Sequence, residues 1–497
     1  MYKLTEDKIR LIFGLKVRHL RTEQNLSLQE VADKSGLSVS YINEIEKGKK
    51  YPKTDKIADL AEALGTTYDQ LVSTRLPRSL APLVDIFNSG ILDELPFEHF
   101  GIDYQKFVEI ITQSPAKISA FISTYIDIAR NYDLNKEKFL SAALRSYQEL
   151  HDNYFPQLEK ETELCARHFQ IPLDAAANWE FLKDILTKKF GTLVTELNTT
   201  TETIVLQQLR ALYYPDRNEL SIHPGLHPYQ KAFILAKEIG YHWLNLPLHE
   251  RVYYYKDWNS TKTFDQALIN FQASYFAGAL LLPLQAFCSD VSYMLESMEF
   301  PGEFLESMLR KWNTSPETLM YRLTNILPGR FGLQKMFFLR FNQDGHRQSF
   351  HLSKELHLGN KHQPHGNESG EHYCRRWMSI KIFNELNQEK KHALGVQKSH
   401  YIDSGLEYIV ISWARETLSK PFSRTSISIG IEVNNDTRKK IRWINDPNIP
   451  THKVNVTCER CRLDPCQERA AEPKIYRKLQ EIESIKQILQ SEGLIKE

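Results

Sequence analysis

The chain carries almost no net charge, few cysteines and no long apolar run. In 497 residues, 63 Lys and Arg stand against 62 Asp and Glu, so no global field draws it to nucleic acid or membrane. Any such binding must come from a local patch. A stretch of about 18 consecutive apolar residues, which a membrane-spanning helix needs, is missing. The residues after Met1 pass directly into an amphipathic pattern instead of a charged-then-apolar leader, so the expected location is the cytoplasm, with no membrane partner. The 6 cysteines are too sparse for a disulfide framework in so long a chain. Cys165 and Cys288 read as ordinary buried thiols, whereas Cys458, Cys461 and Cys466 crowd together, and in a reducing compartment such a bunch suggests metal or cluster ligation.

What is there begins with length. A chain of 497 residues exceeds one hydrophobic core and should divide into roughly three or four domains. From Ile9 to Val72 the pattern predicts five short amphipathic helices, with Leu15, Leu20, Leu28, Val31, Ala32, Ile42, Ile45, Ile57, Leu60, Ala61 and Leu64 as core positions. Ser27, Ser38 and Thr54 are the candidate caps of helices two, three and four, and Gly36 supplies the left-handed turn between helices two and three. The stretch SLQEVADKSGLSVSYINEIEKGKKYP resembles the lambda-repressor-like, or XRE, helix-turn-helix family over about 65 residues. That resemblance implies a third helix, Ser38 to Lys47, lying in the major groove of double-stranded DNA. Ser38, Ser40, Tyr41, Asn43 and Glu44 face the right way to read base edges. Lys47, Lys49, Lys50 and Lys53 form a basic loop suited to phosphate, although a lysine run on its own is more often a solvated loop. The same resemblance implies a buried pair between Arg21 and Glu46.

Residues 76–155 alternate apolar and polar at helical spacing, as in AKISAFISTYIDIARNY and KEKFLSAALRSYQELHDNYF, and read as a helical linker and dimerisation region. A homodimer is expected, because one half-site offers few base contacts. Further on, GTLVTELN and LRALYYPDRNELSIHPG predict strands with a turn at Pro215 to Asn218. A helix containing ILAKEIGYHWLNLP follows. It holds the frame of the zinc-peptidase motif H-E-x-x-H, in which two histidines one turn apart bind zinc beside a general-base glutamate. Here Lys237 and Tyr241 occupy the histidine positions around Glu238, and His242 sits one place late, about a hundred degrees round the helix. The order of strands, degenerate frame and FQASYFAGALLLPLQAF resembles the IrrE/ImmA-type metallopeptidase-like domain, whose acidic third ligand is matched here by Gln272. The resemblance implies a peptidase fold without its metal, leaving a pocket that Lys237, Tyr241, His242, Tyr275 and Phe276 would line, with Lys237 meeting an anionic group. Core packing is the plainer reading of those aromatics.

The C-terminal part predicts a helix capped at Thr314 or Ser315, a strand ending in the turn Asn342 to Gly345, and a loop, HLGNKHQPHGNESGEH, whose histidines read as exposed. Cys374 joins Cys458, Cys461 and Cys466 as four thiolates able to close a zinc site or hold an iron–sulfur cluster. The three parts together, with R-L-x-x-L near Arg322, the N-x-D-G turn and the C-x-E-R-A end of the cysteine motif, resemble the short-chain fatty acid transcriptional regulators of the RamB and PrpR types. That resemblance implies control of acetate, propionate, glyoxylate or methylcitrate metabolism, an acyl-CoA effector in the middle domain, and a [4Fe-4S] cluster on the four cysteines, with zinc as the alternative. The expected fold is mainly α with α+β parts: a five-helix head at 1–75, the helical linker at 76–155, an IrrE-like α+β middle domain at 156–300, a small C-terminal α+β domain at 301–473, and a helix at 474–497. No catalytic residue is assigned. The rival reading is an IrrE/ImmA-like metallopeptidase that cleaves a partner repressor.

Overall fold

The computed structural model describes residues 6–73, 98–101, 136–197, 209–247, 263–344, 349–359, 370–417, 422–492 and 494. The predicted linker helix at 116–132, Gly345 of the predicted turn and most of the histidine-bearing loop lie outside them. The chain divides into two compact units, Met1–Ala143 and Leu144–Glu497.

The first unit contains the five expected helices, α1 (Glu6–Glu23), α2 (Leu28–Ser35), α3 (Val39–Glu46), α4 (Thr54–Ala63) and α5 (Tyr68–Val72). Ser27 caps α2 through a reciprocal box with Glu30, and the Ser38 hydroxyl accepts from the Tyr41 amide at the start of α3. Thr54 is not a cap. It is already helical, and Lys53 stands at the cap position with no side-chain hydrogen bond, because an ammonium has no acceptor to offer an amide. Gly36 adopts φ +67° after α2. Val31, Ile42, Ile45, Ile57, Leu60 and Leu64 form the core with Phe13, Val17, Leu37 and Leu71. Helices α1 and α3 approach so closely that a Cβ on Gly14 would stand 2.1 Å from the Ile45 carbonyl oxygen. The expected pair is present: Arg21 Nε and Nη2 donate to the Glu46 carboxylate at 2.6 and 2.9 Å. Buried Lys16 ties α1 to the end of α5 by donating to the Gln70 carbonyl at 2.7 Å and the Ser73 hydroxyl at 2.8 Å, meeting carbonyls that a helix end leaves without partners.

The division falls within α6 (Lys136–Leu150), and the second unit continues with α7 (Pro156–Phe169) and α8 (Trp179–Phe190), then a small sheet of β1 (Leu193–Glu196), β2 (Ala211–Tyr214) and β3 (Glu219–Ile222). Its order is β1-β3-β2, with β1 parallel and β2 antiparallel to β3, and Pro215–Arg217 make the turn. Next come α9 (Pro228–Trp243), which carries the zinc-peptidase frame, α10 (Phe264–Leu281), α11 (Leu284–Glu296), α12 (Gly302–Lys311) and α13 (Pro316–Phe331), the last capped by Ser315. Among the described residues no single helix is long and apolar enough to cross a membrane. A sheet of β4 (Met336–Asp344), β5 (Phe350–Leu358), β6 (His392–Tyr401), β7 (Glu407–Glu416), β8 (Phe422–Glu432) and β9 (Thr451–Val454) has the order β5-β4-β8-β7-β6-β9. Strand alternation divides it into two apolar faces. Phe338, Leu356, Ile411 and Ile429 pack with α11 to α13, and Phe337, Phe341, Tyr408 and Val410 pack with the segment around Trp377 and Phe383. The final helix, α14 (Lys474–Ser491), has no buried residue. The molecule is mainly α with α+β parts, as the sequence predicts.

Candidate functional sites

On the head, the turn at Gly36 presents α3 with Ile42 and Ile45 inward. Ser38 and Ser40 are exposed, and Tyr41, Asn43 and Glu44 are half-buried. The Ser38 hydroxyl is engaged as the cap acceptor at 3.2 Å and keeps its proton for donation. Lys47 closes the helix, and Lys49 and Lys50 are exposed beyond it. Lys50 Nζ stands 3.2 Å from Glu44 Oε2. An exposed pair of this kind is weak, yet it sets a cation beside the Glu44 carboxylate, which would otherwise repel a phosphate.

In the zinc-peptidase frame the ligand positions are taken up within the protein. Lys237 Nζ donates to Asn270 Oδ1 at 2.6 Å, and the Tyr241 hydroxyl stands 3.5 Å from the same oxygen. Burial, with Lys354 nearby, lowers the Lys237 ammonium to about 8 although Glu238 opposes the shift. The residue that α10 brings to the frame is therefore Asn270, not Gln272, which is half-buried two positions later and so about 200° round the helix. His242 turns toward the start of β1: its Nε2 is 3.0 Å from Thr192 Oγ1 and 3.3 Å from Glu238 Oε1, and its ring stacks on Phe190. An amide oxygen, an ammonium and a phenol make a poor cation site.

Tyr275 and Phe276 serve other contacts. Phe276 is the residue against which α9 closes, since a Cβ on Gly240 would meet its ring at 2.8 Å. The Tyr275 hydroxyl donates to Glu159 Oε1 at 2.6 Å and accepts from the Phe155 amide at 3.2 Å. Arg322 grips the same carboxylate from α13, Nη1 to Oε1 at 2.6 Å and Nη2 to Oε2 at 2.8 Å, and its Nε donates to the Leu282 carbonyl. This buried fork joins α7, α10 and α13. Beside it a cleft of about 440 Å³ is lined by Glu159, Thr162, Glu163, Leu173, Pro283 and Leu284, where the carboxylates disfavour an anion.

The four predicted cysteines line one cavity, of about 280 Å³ open to solvent, together with Arg375, Arg376, Lys453 and Arg469. Cys374 reaches it because Tyr373 pairs antiparallel with Thr457. That bridge is reinforced on both sides, by Arg460 on Glu371 at 2.6 Å and by His372 Nδ1 with Glu459 at 2.8 Å. The Ala470 amide donates to Cys458 Sγ at 3.3 Å. Burial pushes the Cys374 thiol up to about 12 and raises that of Cys461, against amide donors and, for Cys461, nearby Arg469. The side chains ring a space instead of converging on a point: among the described residues no group of three or more His, Cys, Asp or Glu stands ready to hold a metal ion. The donor set nonetheless fits a group of net negative charge once ligated. Four sulfurs face one cavity, an amide points at sulfur, and cations stand on the rim.

Sequence comparison follows the same divisions. A helix-turn-helix family model matches residues 17–71, and an IrrE N-terminal-like domain model matches residues 187–324. The HTH-type transcriptional regulator RamB of Mycobacterium tuberculosis is 23% identical over 485 residues, spanning 92% of this chain and 94% of its own. The propionyl-CoA carboxylase regulator of Cereibacter sphaeroides is 19% identical over 473 residues, 93% of this chain and 95% of its own. The HTH-type transcriptional regulator PrpR of Mycobacterium tuberculosis is 22% identical over 373 residues, 69% and 71% of the two chains. The chain therefore carries an XRE-type helix-turn-helix and an IrrE-like domain, and along most of its length it is similar, at low identity, to helix-turn-helix transcriptional regulators of the RamB and PrpR type.

Proposed function

We propose that the protein is a homodimeric regulator that binds an operator through α3 and adjusts that binding to the level of a short-chain acyl-CoA, without peptidase activity. The observation that carries this reading is the zinc-peptidase frame, in which Lys237, Tyr241 and Asn270 stand where a peptidase needs metal ligands. A domain that keeps its peptidase fold but not its metal chemistry is suited to binding. One relative that matches almost end to end is a propionyl-CoA carboxylase regulator, which supports the acyl-CoA metabolic class. Cys374, Cys458, Cys461 and Cys466 would hold a [4Fe-4S] cluster, with zinc as the alternative. A bound cluster would supply positive charge at the sulfurs and redox sensitivity.

Native mass spectrometry of anaerobically purified protein, with its visible spectrum, tests the reading. A dimer carrying the added mass of an acyl-CoA, together with iron–sulfur absorbance, is the expected result. One zinc per chain and no visible band would make the cysteines a structural zinc site. Zinc retained after all four cysteines are changed to serine would place a metal in the IrrE-like domain and restore the peptidase reading.

A further inference from the structure

Helix α14 is tied down only at its start. The Ile475 and Tyr476 amides donate to the Glu459 carbonyl at 3.1 and 3.0 Å, and Arg477 pairs with Glu472 at 2.9 Å. Beyond that anchor every residue from Arg477 to Ile488 is exposed. Leu479, Ile482, Ile485 and Ile488 are 56, 51, 56 and 60% exposed. A helix of 18 residues is marginal by itself in water, and helices in proteins draw most of their stability from packing an apolar face. For α14 that packing is missing within its own chain, and a contiguous exposed apolar face marks an interaction surface.

The spacing of the stripe says what kind of surface covers it. Ile475, Ile482 and Leu489 recur every seven residues, and Ile485 stands three after Ile482, which is the a and d pattern of a coiled-coil seam. Lys478 takes the remaining d place, where its methylene stem lies along the seam and its ammonium reaches water. On the same frame Leu479 and Lys486 stand at e, and Glu481 and Ile488 at g. In a parallel pair in register, each g side chain meets the e side chain five residues further along its partner. Glu481 then meets the partner subunit's Lys486, and by two-fold symmetry Lys486 meets the partner subunit's Glu481. An antiparallel pair would set g against g and e against e, leaving Glu481 beside Ile488 and Lys486 beside Leu479. The charge pattern is therefore complementary to a parallel copy of itself.

We propose that α14 is a dimer interface, in which the helices of two copies of this chain lie parallel and in register along Ile475, Ile482, Ile485 and Leu489, with Glu481 and Lys486 paired across the seam. This rests on the homodimer reading above and adds the surface that holds the two chains together.

Sedimentation velocity of the full-length protein over a concentration series tests it, using wild type, a variant with both Ile482→Asp and Ile485→Asp, and the single variants Glu481→Lys and Lys486→Glu. All four side chains are exposed, so the substitutions leave the fold of the single chain intact, and circular dichroism checks this. The aspartate variant should weaken the dimer at least about a hundredfold, since each chain loses the burial of two aliphatic side chains. Either charge variant alone should weaken it several-fold, because like charges then face each other across the seam. An equimolar mixture of the two charge variants should recover association close to that of wild type, because each brings the charge that the other lacks. That recovery keeps the test decisive even if the aspartate variant fails to fold. A wild-type dimer that none of the variants weakens would overturn the interface and leave the homodimer reading standing. A dimer lost in the aspartate variant but indifferent to charge reversal and mixing would overturn the parallel register. Wild-type protein that stays monomeric at micromolar concentration would remove the interface and the homodimer reading together. Monomeric protein that floats with phosphatidylglycerol vesicles, and ceases to in the aspartate variant, would likewise overturn the proposal and assign the stripe to a lipid surface.

Discussion

Arg322 and Glu159 face each other across three helices with both charges buried. Such a pair adds little over a well-packed apolar replacement, but breaking it from one side is costly because the other charge is left alone. Glu159→Gln should therefore cost about 3–5 kcal/mol of stability, and Tyr275→Phe, which removes one hydrogen bond to a charged acceptor, about 1.5–3 kcal/mol. Denaturant unfolding would read both. An equal, small loss from the two would mean that the guanidinium finds water or another acceptor. The pH dependence follows from the carboxyls. Burial would raise Glu159, but Arg322 and the Tyr275 hydroxyl overcome it and hold the group below its ordinary value of 4.5. A folded pKa below the unfolded one contributes stability that is present above about pH 4.5 and lost as pH falls through the folded value. Burial would raise the Glu317 carboxyl, but Arg340, Lys354, Arg210 and Arg415 hold it down, and its window runs from 4.5 down to about 2. Acid titration of wild type should lose stability across this range, and Glu159→Gln should lose less of it.

At the scale of elements, the head depends on one close crossing. Gly14→Ala would drive a Cβ into the Ile45 carbonyl, a backbone atom that cannot rotate away, so α1 and α3 must separate. The expected cost is at least the 1–3 kcal/mol or so of an overpacked core, with loss of operator binding and a lower melting transition for the head. On α3, Asn43→Ala should weaken specific DNA binding more than non-specific binding, whereas Lys49→Ala should weaken both and lower the salt slope by about one. Salt-dependent binding isotherms separate the two, and equal effects would count against the groove assignment. Much of this was legible in the sequence. Helix periodicity, the Ser27 and Ser38 caps, Gly36 and the Arg21–Glu46 pair are local or motif-borne, and the structure has each of them. Thr54 misled because a threonine before an apolar run looks like a cap even when the helix starts one residue earlier. Gln272 stood in for Asn270 because motif spacing does not say which side of a helix faces its neighbour. The cluster around Glu317 left no signal at all. Arg210, Arg340, Lys354 and Arg415 are spread over 205 residues and meet only after the sheet has formed.

At the scale of the molecule, regulation is a coupling free energy, and it must be reciprocal. An acyl-CoA changes operator affinity only as far as it binds the DNA-competent and DNA-incompetent states differently. A typical coupling of about 1–3 kcal/mol corresponds to a change of roughly 5–150-fold. Thermodynamic linkage then requires the operator to change acyl-CoA affinity by the same factor and in the same direction. Fluorescence anisotropy of a labelled operator, with and without saturating propionyl-CoA, gives one factor. Calorimetry of propionyl-CoA, with and without saturating operator duplex, gives the other. Agreement within error, with little effect of a scrambled duplex, is the outcome expected of a two-site sensor. Factors that disagree, or that drift with protein concentration, would show that the acyl-CoA acts on a third equilibrium such as subunit association. Operator affinity would then follow the acyl-CoA level through the population of dimers, and the two ligands would have no direct communication to explain.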